Sequence, residues 1–582
     1  MRKTKIVCTI GPASESPEIL KQLILAGMNV ARLNFSHGTH PEHEARIDNI
    51  RAVAKELGKN VAIMLDTQGP EIRTGVLKDS QITLNIGDVI TITPDKIEGT
   101  QERISVTYEN IAKDVSVGST VLIDDGIIEL RVEEIQGRDI VCRVIDGGVL
   151  KNRKGVNLPK VNVNLPSITE KDIEDITFGI RKKVDMIAAS FVRKAADVLD
   201  IRQLLDENGG EHISIMAKIE NEEGVINMEE ILNVVDSVMV ARGDLGVEIP
   251  AEEVPIVQKK LIALCNRLGK PVVTATHMLE SMQTNPRPTR AEATDVANAI
   301  FDGTDAIMLS GESAAGKYPV ESVQTMDRIA RSVEGSELYR KHISQWPNGK
   351  MTITDAMGRA VSSTAASLDA SAILTPTESG YTALVISRER PDCPIVAVTP
   401  HEHVVNQLTL AWGVYPILFE SPDNTDEMVE KAIQAAVGKQ IIKHGDLIVI
   451  TAGVPLREPG TTNILKVHVV GRVVARGRGI GDLRAAGKVV IMGTPGWEDK
   501  VDETTVLVAK STDKEVTPYI EKAAALVTEE GGLTSHGAII GLNLNKPVII
   551  GVDSITTILK DGDEVTVDPH QGHVYHGFTR VF

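Results

Sequence analysis

The sequence predicts an α/β protein whose largest part is a (β/α)₈ barrel of the TIM type, on three observations. Eight short, β-branched, apolar runs occur in the first 340 residues, with amphipathic helical stretches between most of them. Each run is almost continuously apolar, as expected of parallel strands covered on both faces. Most runs end in polar residues, which would converge at the carboxyl-terminal rim of a barrel. From the pattern alone, an open doubly wound sheet is the alternative. The eight runs are residues 4–10, 29–34, 61–66, 184–190, 213–219, 237–241, 272–276 and 306–310.

The remainder of the chain adds three parts to this barrel. After the third strand, the sequence changes to short alternating strands joined by Gly, Asp and Asn turns, which predicts a small β-barrel lid inserted into the barrel. A second α/β unit follows, with strands predicted at 371–375, 395–399, 415–419, 447–451 and 466–470. The predicted domains are the barrel at 1–69 and 166–340, the lid at 70–165, the α/β domain at 341–470 and an extra domain at 471–582.

Composition narrows the functional classes. The chain of 582 residues carries 62 Lys and Arg against 80 Asp and Glu, a formal net charge of −18. Such a surface repels nucleic-acid backbones and anionic lipid, so we expect neither as a partner. Any anionic ligand requires a locally basic pocket. The amino terminus predicts no signal peptide and no apolar run is long enough to span a bilayer. The four cysteines are far apart, which favours a reducing, cytoplasmic location.

Two strand-end carboxylates are candidate ligands for a divalent cation. Glu220 follows the fifth predicted strand and Asp244 the sixth, so their oxygens can hold Mg²⁺ or Mn²⁺ and leave positions for substrate and water. Lys218 lies two residues before Glu220 and faces the same side of its strand. This trio suits the stabilisation of an enolate or of a transferring phosphoryl group. A single carboxylate at such a place is more often a cap or salt-bridge partner, but several polar strand ends together favour a site.

A second set of strand-end residues offers oxygen atoms with little charge. Asn34, Ser36, Asp66 and Thr67 contain one carboxylate among four oxygen donors, which suits a monovalent cation. A local hydrogen-bond network explains the same spacing equally well. Arg32, Arg73 and Lys218 supply the basic pocket that a phosphate needs in an acidic protein. Gly243 allows backbone amides to approach a ligand carboxylate because it has no Cβ, although a turn would also explain this glycine.

Eight motifs, in order and with the same spacing, closely resemble those of the pyruvate kinase family. The likeness runs from Arg2 to about Val470, which is most of the chain. It implies phosphoryl transfer from phosphoenolpyruvate to ADP, giving pyruvate and ATP in glycolysis, in a cytoplasmic homotetramer that requires Mg²⁺ or Mn²⁺ and K⁺. The motifs are ARLNFSHG, LDTQGPEIRTG, KGVNLP, SFVRKAADV, AKIENEEG, VARGDLGVEIP, NPRPTRAEATDVANA and MLSGESAAGKYPVE.

The resemblance also implies a role for each matched residue. Lys218 would stabilise the transition state, and Thr276 would order a water that delivers a proton. The carboxylate of Glu71 goes with dependence on K⁺ in this family. The remaining implied contacts are Glu220 and Asp244 for the divalent cation, Arg32, Lys218, Gly243, Asp244 and Thr276 for the substrate, Asn34, Ser36, Asp66 and Thr67 for K⁺, and Asn34, His37, Arg73 and Lys154 for the nucleotide.

Three positions depart from the family pattern. Gln68 replaces a lysine that is usual there, His277 replaces a glutamine, and Ser313 replaces a threonine. Gln68 removes a positive charge beside the predicted K⁺ cage, and His277 directly follows Thr276. We expect these changes to alter kinetic constants. We expect an active enzyme because Lys218, Glu220 and Asp244 are unchanged.

The C-terminal third contains two further candidate sites. The segment 375–383 follows a strand and precedes a predicted helix, where amides can cradle a phosphate, although an ordinary strand–helix turn reads the same way. The family resemblance implies an allosteric pocket for a sugar phosphate or AMP, with Thr377, Ser379, Gly380 and Thr382 as contacts and the loop 452–463 nearby. The last 110 residues resemble the swivelling phosphohistidine domain of phosphoenolpyruvate-utilising enzymes, as in Bacillus-type pyruvate kinases. His536 is at the position that carries phosphate there.

Three competing hypotheses have weaker support. A metal-dependent aldolase or lyase of the phosphoenolpyruvate-binding barrel group would not explain the lid with Lys154 or the K⁺-like cage. A metabolite sensor without activity conflicts with the intact Lys218, Glu220 and Asp244. A phosphohistidine transfer protein depends on His536 alone.

Overall fold

The computed structural model describes residues 1–339, 352–420, 425–453, 462–471 and 473–577. These residues form two compact units, which are treated separately below. The first contains Met1–Lys350 together with His401–Pro416, and the second contains Met351–Pro400 together with Ile417–Phe582.

The first unit contains a closed barrel of eight parallel strands, which confirms the predicted architecture and excludes the open sheet. Neighbouring strands pair in chain order around the ring, and the eighth strand closes it by pairing with the first. The predicted strand ends lie within two residues of the observed ones, and the strand predicted at 237–241 matches at both ends. The strands are β1 Lys5–Thr9, β2 Val30–Asn34, β3 Ala62–Asp66, β4 Met186–Ala189, β5 Ser214–Ile219, β6 Ser237–Ala241, β7 Val272–Ala275 and β8 Ala306–Leu309.

Side chains alternate between the barrel interior and the layer under the helices. In β1, for example, Val7 belongs to the interior cluster, whereas Ile6 and Cys8 belong to the outer core. Five of the eight strands contribute a methionine to the interior. The unbranched, polarizable side chain of methionine fills irregular gaps of this kind. These methionines are Met64, Met186, Met216, Met239 and Met308.

Helices cover the outside of the barrel, and local sequence explains where several begin. Thr169 with Asp172, and Thr289 with Glu292, form capping boxes in which each side chain satisfies a free backbone amide. The helices are Pro17–Ala26, His40–Leu57, Glu170–Arg181, Ala195–Glu207, Glu222–Ile226, Met228–Val234, Arg242–Glu248, Val254–Leu268, Arg290–Phe301, Gly311–Ala314 and Pro319–Glu334, with a 3₁₀ turn at Glu280–Gln283.

The insert after β3 is built of short strands, as its alternating sequence predicts. They form one seven-stranded sheet and one two-stranded sheet around their own apolar cluster. The strands are Ile72–Arg73, Gln81–Leu84, Val89–Thr93, Arg103–Ser105, Thr120–Ile123, Ile128–Gln136, Asp139–Asp146, Gly148–Lys151 and Gly155–Asn157, with one short helix at Ile111–Asp114.

The segment His401–Pro416 packs against the amino-terminal end of the barrel strands. Leu410 belongs to the same interior cluster as the barrel methionines. Asn406 Nδ2 donates to Asp185 Oδ1 at 2.9 Å, just before β4, and the buried ammonium of Lys5 donates to the Val414 carbonyl at 2.5 Å. Trp412 is 1% exposed. This segment therefore closes the end of the barrel opposite the strand ends that carry the candidate site.

The second unit contains an α/β part and a final mixed sheet. The α/β part has strands Ala372–Pro376, Ile395–Thr399, Leu447–Gly453 and Thr462–Val469, and helices Ile353–Ser367, Tyr381–Arg388 and Thr425–Gly438. The boundary between the two units falls within the strand Val414–Leu418, and the short helix Glu402–Leu408 belongs to the first unit.

The final part of the chain forms an eight-stranded mixed sheet with short helices. Its strands are Val473–Arg476, Arg478–Ile480, Ala485–Ile491, Thr505–Ala509, Ala525–Thr528, Val548–Ile550, Glu564–Asp568 and His573–His576, and its helices are Thr517–Lys522, His536–Leu544 and Ile555–Ile558, with 3₁₀ turns at Glu498–Lys500 and Lys514–Val516. Among all the described helices, not one combines the length and hydropathy needed to cross a bilayer.

Candidate active site

A buried ion-pair network occupies the carboxyl-terminal end of the barrel. Lys218 Nζ, from β5, lies 3.0 Å from Asp66 Oδ1 and 2.9 Å from Glu220 Oε1. Arg32 Nε, from β2, donates to the other Asp66 oxygen at 2.5 Å. All four residues are buried, since none is more than 9% exposed. Four residues predicted from three strand ends thus lie in one place.

Burial and neighbouring charges shift the pKa values of Lys218 and Asp66 in opposite directions. Burial lowers the pKa of Lys218, but the carboxylates of Asp66 and Glu220 outweigh it and leave that pKa above its ordinary value. Burial raises the pKa of Asp66, but Arg32 and Lys218 outweigh it and bring that pKa below its usual range. Near pH 7, Lys218 is therefore an ammonium and Asp66 a carboxylate.

Glu220 and Asp244 form a crowded acidic pair beside Lys218. Burial raises the pKa of Glu220, and the charge of Asp244 adds to the rise against the effect of Lys218. Burial also raises the pKa of Asp244, with smaller contributions from Asp125 and Glu71 after the opposing one from Lys218. Carboxylates held in this way favour a nearby cation. Among the described residues, no cluster of three or more His, Cys, Asp and Glu side chains has metal-binding geometry. Two carboxylates are the number expected when substrate and water complete a Mg²⁺ shell.

Ser190, which was not among the predicted site residues, anchors Lys218. Its Oγ accepts a hydrogen bond from Lys218 Nζ at 2.7 Å and donates one to the Thr67 carbonyl at 2.7 Å. The next residue, Phe191, has a positive φ of 58° and donates its amide to Glu220 Oε2 at 2.6 Å. A signal was present, because Ser190 directly follows the apolar run of β4.

The predicted K⁺ cage residues lie on two adjacent strands. Asn34 and Asp66 are direct partners in the pairing of β2 with β3. Asn34 Oδ1 accepts the Ser36 amide at 3.1 Å, and Thr67 Oγ1 accepts the Ser190 amide at 3.1 Å. Both side chains are therefore fixed by backbone donors, and an oxygen atom has a further lone pair available. The hydrogen-bond network and the cation cage are compatible in this geometry.

The turn that follows Thr67 requires glycine. Gly69 has φ +74°, and a Cβ there would lie 2.8 Å from Ser190 Cβ. Its amide donates to Asp172 Oδ1 at 3.0 Å. Asp172 is also the capping residue of helix Glu170–Arg181. The turn carrying Thr67 and Gln68 is thus fixed to the barrel by a buried carboxylate.

His37 lies on an exposed loop, and the buried side chain of His43 contacts the backbone of this loop. His43 Nε2 is 2.8 Å from the His37 carbonyl, and the imidazole stacks on Phe35 with ring centroids 3.9 Å apart. Burial lowers the pKa of His43 to about 4, against the smaller effect of that hydrogen bond. His43 is therefore neutral near pH 7 and donates from Nε2 to this carbonyl.

The predicted nucleotide contacts of the insert pair with nearby carboxylates. Lys154 Nζ lies 2.7 Å from Asp124 Oδ1, and Arg73 forms an ion pair with Glu71. Burial raises the pKa of Glu71, and Arg73 opposes this. Both basic side chains are partly exposed, at 34% for Lys154 and 38% for Arg73.

Gly243 and Thr276 are in direct contact across the ends of β6 and β7. The Gly243 amide donates to Thr276 Oγ1 at 2.7 Å. A Cβ on Gly243 would meet Thr276 and His277 atoms only at 3.4–3.7 Å, which is ordinary contact. Packing within the protein therefore does not require this glycine. Arg242, a second residue that sequence reasoning missed, lies immediately before it.

The departures from the family pattern lie at the rim of this site. Gln68 is half-buried and His277 is exposed. Ser313 is buried and donates to the Thr9 carbonyl at 2.8 Å, next to the Thr9 hydroxyl that receives Arg32 Nη1 at 2.9 Å. A serine therefore supplies the hydrogen bond that anchors this strand end.

In the second unit, the predicted effector residues surround the start of helix Tyr381–Arg388. Gly380 has φ +82° and donates its amide to Thr377 Oγ1 at 3.0 Å. Thr382 Oγ1 is 2.9 Å from Thr462 Oγ1. Ser379 is exposed. Most of the loop at 452–463 lies outside the described residues.

His536 is the first residue of helix His536–Leu544. Ser535 caps this helix by accepting the Ala538 amide at 3.3 Å, and His536 Nδ1 lies 3.2 Å from Thr512 Oγ1.

Three family models match the chain. The pyruvate kinase barrel domain matches residues 1–323, the pyruvate kinase alpha/beta domain matches 355–468, and the mobile domain of PEP-utilising enzymes matches 501–572. The last match accounts for the segment beyond the α/β domain.

Curated relatives extend over the whole chain. Proteins named pyruvate kinase from Bacillus licheniformis and Geobacillus stearothermophilus are each 58% identical, with 100% of both chains covered. One from Staphylococcus haemolyticus is 54% identical with the same coverage. The chain therefore belongs to the pyruvate kinase family of phosphotransferases, in the form that carries an additional C-terminal PEP-utilising domain.

Proposed function

We propose that this protein transfers the phosphoryl group of phosphoenolpyruvate to ADP, giving pyruvate and ATP as a step of glycolysis in the cytoplasm. The observation that carries the proposal is the buried network of Lys218, Asp66, Arg32 and Glu220 at the barrel rim. Arg32 and Lys218 supply two cations at this rim for an anionic substrate, in a chain whose overall charge is −18. Family membership supports the same reaction.

Glu220 and Asp244 are the proposed ligands of Mg²⁺ or Mn²⁺. The raised pKa values of these two carboxylates reflect burial first and the repulsion of nearby carboxylates second, and a divalent cation would relieve both. Once bound, the cation would polarise substrate oxygens and neutralise their charge. Asn34, Ser36, Asp66 and Thr67 are the proposed K⁺ ligands, on the strength of their adjacent oxygens.

The side chains of this protein divide the remaining work. Arg32 binds the substrate phosphate, and the Lys218 ammonium stabilises negative charge on the transferring phosphoryl group and on the enolate. Gly243 and Asp244 orient the substrate carboxylate. Thr276 is too weak an acid to protonate carbon alone, so it orders the water that does so. His37, Asn34, Arg73 and Lys154 contact ADP.

We expect pyruvate formation to require both Mg²⁺ and K⁺. The proposed cage has a single carboxylate, and Asp66 already pairs with two side-chain cations, so the added cation must be weakly charged. A lactate dehydrogenase-coupled assay, with choline replacing K⁺ at equal ionic strength, should give turnover at least tenfold lower without K⁺. This factor corresponds to about 1.4 kcal/mol in the barrier.

Two outcomes would contradict this view. A purified sample that makes no pyruvate with Mg²⁺ and K⁺ present would refute the proposed function. Equal turnover with choline would leave the reaction intact but remove K⁺ from it.

We propose allosteric regulation through the α/β part of the second unit, in a homotetramer. Thr377, Ser379, Gly380 and Thr382 place hydroxyl groups and a helix start in one loop, which suits a phosphate. Titration of AMP and of sugar phosphates should shift the phosphoenolpyruvate saturation curve for at least one of them. Thr382→Val should weaken that response, and a Thr83→Val variant on the insert serves as the control. No response to any compound would remove the site.

The kinase reaction needs no phosphohistidine, so we propose a structural or regulatory use for His536. Acid-labile phosphate on His536 after incubation with phosphoenolpyruvate would overturn this assignment.

A further inference from the structure

Two consecutive residues at the end of β7 have left-handed backbone conformations. Thr276 has φ +63° and His277 has φ +56°. Such angles are uncommon for any residue other than glycine, and they are outliers for a β-branched one. Conformations of this kind persist only where the surrounding structure holds them. The contacts that hold Thr276 are therefore part of how the site is built.

The guanidinium of Arg242 binds two backbone carbonyls at the end of β7. Its Nε donates to the Ala275 carbonyl at 3.0 Å, and its Nη2 donates to the Thr276 carbonyl at 2.7 Å. Arg242 is also the first residue of helix Arg242–Glu248, immediately before Gly243. One side chain thus joins the loop after β6 to the loop after β7.

Asp295 fixes this guanidinium from the helix Arg290–Phe301. Its two oxygens lie 2.8 Å and 2.7 Å from Nη1 and Nη2 of Arg242, a bidentate pair. Gln258 Oε1 accepts from Nη1 at 3.4 Å. With the two carbonyls, these contacts engage all three guanidinium nitrogens. The Arg242 side chain is 13% exposed.

The hydroxyl of Thr276 closes a ring with the same groups. It accepts the Gly243 amide at 2.7 Å and donates to the Ala275 carbonyl at 2.8 Å. That carbonyl is also the acceptor for Arg242 Nε. Arg242 therefore acts on the position of the Thr276 hydroxyl through a shared acceptor, and on the Gly243 amide through the peptide chain.

We propose that Arg242, fixed by Asp295, is a positioning residue that sets the Thr276 hydroxyl and the Gly243 amide for the reaction. The inference rests on the proposed function, since it concerns the groups assigned there to substrate orientation and carbon protonation. Arg242 touches no reacting atom itself. Without these hydrogen bonds from Arg242, Thr276 and His277 can relax from their left-handed conformations. The Thr276 hydroxyl, which orders the proton-delivering water, then moves.

The test is a double-mutant cycle between Arg242→Lys and Thr276→Ala. Lysine keeps the charge but cannot hold two carbonyls and a bidentate carboxylate together. Arg242→Lys alone should lower kcat at least tenfold and leave the KM for ADP within about twofold, because displacement of a reacting group by about 1 Å can cost up to a hundredfold. In the Thr276→Ala background, Arg242→Lys should lower kcat by no more than about threefold, since the effect through the Thr276 hydroxyl is gone and only the effect on the Gly243 amide remains.

Arg202→Lys is the matched control. Arg202 makes the same kinds of contact, donating to the Ile213 carbonyl at 3.0 Å and to Asp236 at 2.9 Å, but at the amino-terminal end of the strands. It should leave kcat within about twofold. If Arg242→Lys folds poorly, Asp295→Asn tests the same inference, and it should lower kcat much more when Thr276 is present than in the Thr276→Ala background.

The outcomes are distinguishable. Effects of Arg242→Lys and Thr276→Ala that multiply in an active enzyme would overturn this inference alone, as would a kcat for Arg242→Lys equal to that of the control. An inactive wild-type enzyme would overturn the proposed function and this inference with it.

Discussion

Lys218→Met should reduce turnover by at least about a thousandfold, a loss typical of removing a preorganised group that stabilises transition-state charge. Lys218 Nζ pairs with both Asp66 and Glu220, and these carboxylates hold its pKa above the ordinary value, so it is an ammonium near pH 7. Methionine has a similar length but no charge, so this position no longer supplies a cation that stabilises the negative charge of the phosphoryl group. Arg32 remains in place, and we expect phosphoenolpyruvate to bind within about tenfold of its normal affinity, a change of ~1.4 kcal/mol.

The measurement combines a coupled turnover assay with titration of phosphoenolpyruvate by calorimetry. Lys21→Met is the control. The substitution removes the same charge from the protein, but Lys21 forms an exposed pair with Glu56. Its turnover should equal that of the wild type. Near-normal turnover of Lys218→Met would remove Lys218 from the mechanism, and loss of substrate binding would reassign it to binding.

Glu220→Gln should raise the Mg²⁺ concentration for half-maximal activity at least tenfold. Changes to groups that only support a metal ligand already cost 10–100-fold in metal affinity or activity, so loss of a ligand charge should cost at least as much. Glutamine keeps the shape and can still accept the Phe191 amide, which now donates to Glu220 Oε2 at 2.6 Å. The substitution therefore tests the charge of Glu220 rather than its packing.

The control for this variant is Glu334→Gln. Glu334 accepts the Lys3 and Thr4 amides at 2.8 and 2.6 Å, so it also bonds backbone donors, but at the amino-terminal end of β1. It should leave the Mg²⁺ dependence unchanged. An unchanged Mg²⁺ dependence in Glu220→Gln, measured by activity and by Mn²⁺ binding in electron paramagnetic resonance, would assign the cation elsewhere.

The barrel was predictable because its strands are apolar on both faces and its helices are amphipathic. Polar residues that directly follow such strands stand out, and the barrel then brings Lys218, Asp66 and Glu220 together. Individual roles for Arg73 and Lys154 came from the family resemblance, because nothing in an alternating β-rich insert distinguishes one exposed cation from another.

Other features depend on contacts between distant residues that no local pattern encodes. Arg242 and Asp295 look like ordinary charged residues of two helices, yet they meet at 2.7 Å. The left-handed conformation of Thr276 contradicts its own β-branched preference, and tertiary contacts impose it. The position of Ser190 directly after β4 is a sequence signal for a site residue. Serine is too common at strand ends for that signal to identify it.

The closure of the barrel by His401–Pro416 has a consequence for biosynthesis. Leu410 fills the barrel interior and Val414 supplies an acceptor for the buried ammonium of Lys5, yet both follow β8 by a long stretch of chain. A nascent chain that has emerged only as far as β8 lacks these groups, and it must close a long loop to gain them. The barrel therefore completes its core late in synthesis, and this end stays uncovered until Pro416 has emerged from the ribosome.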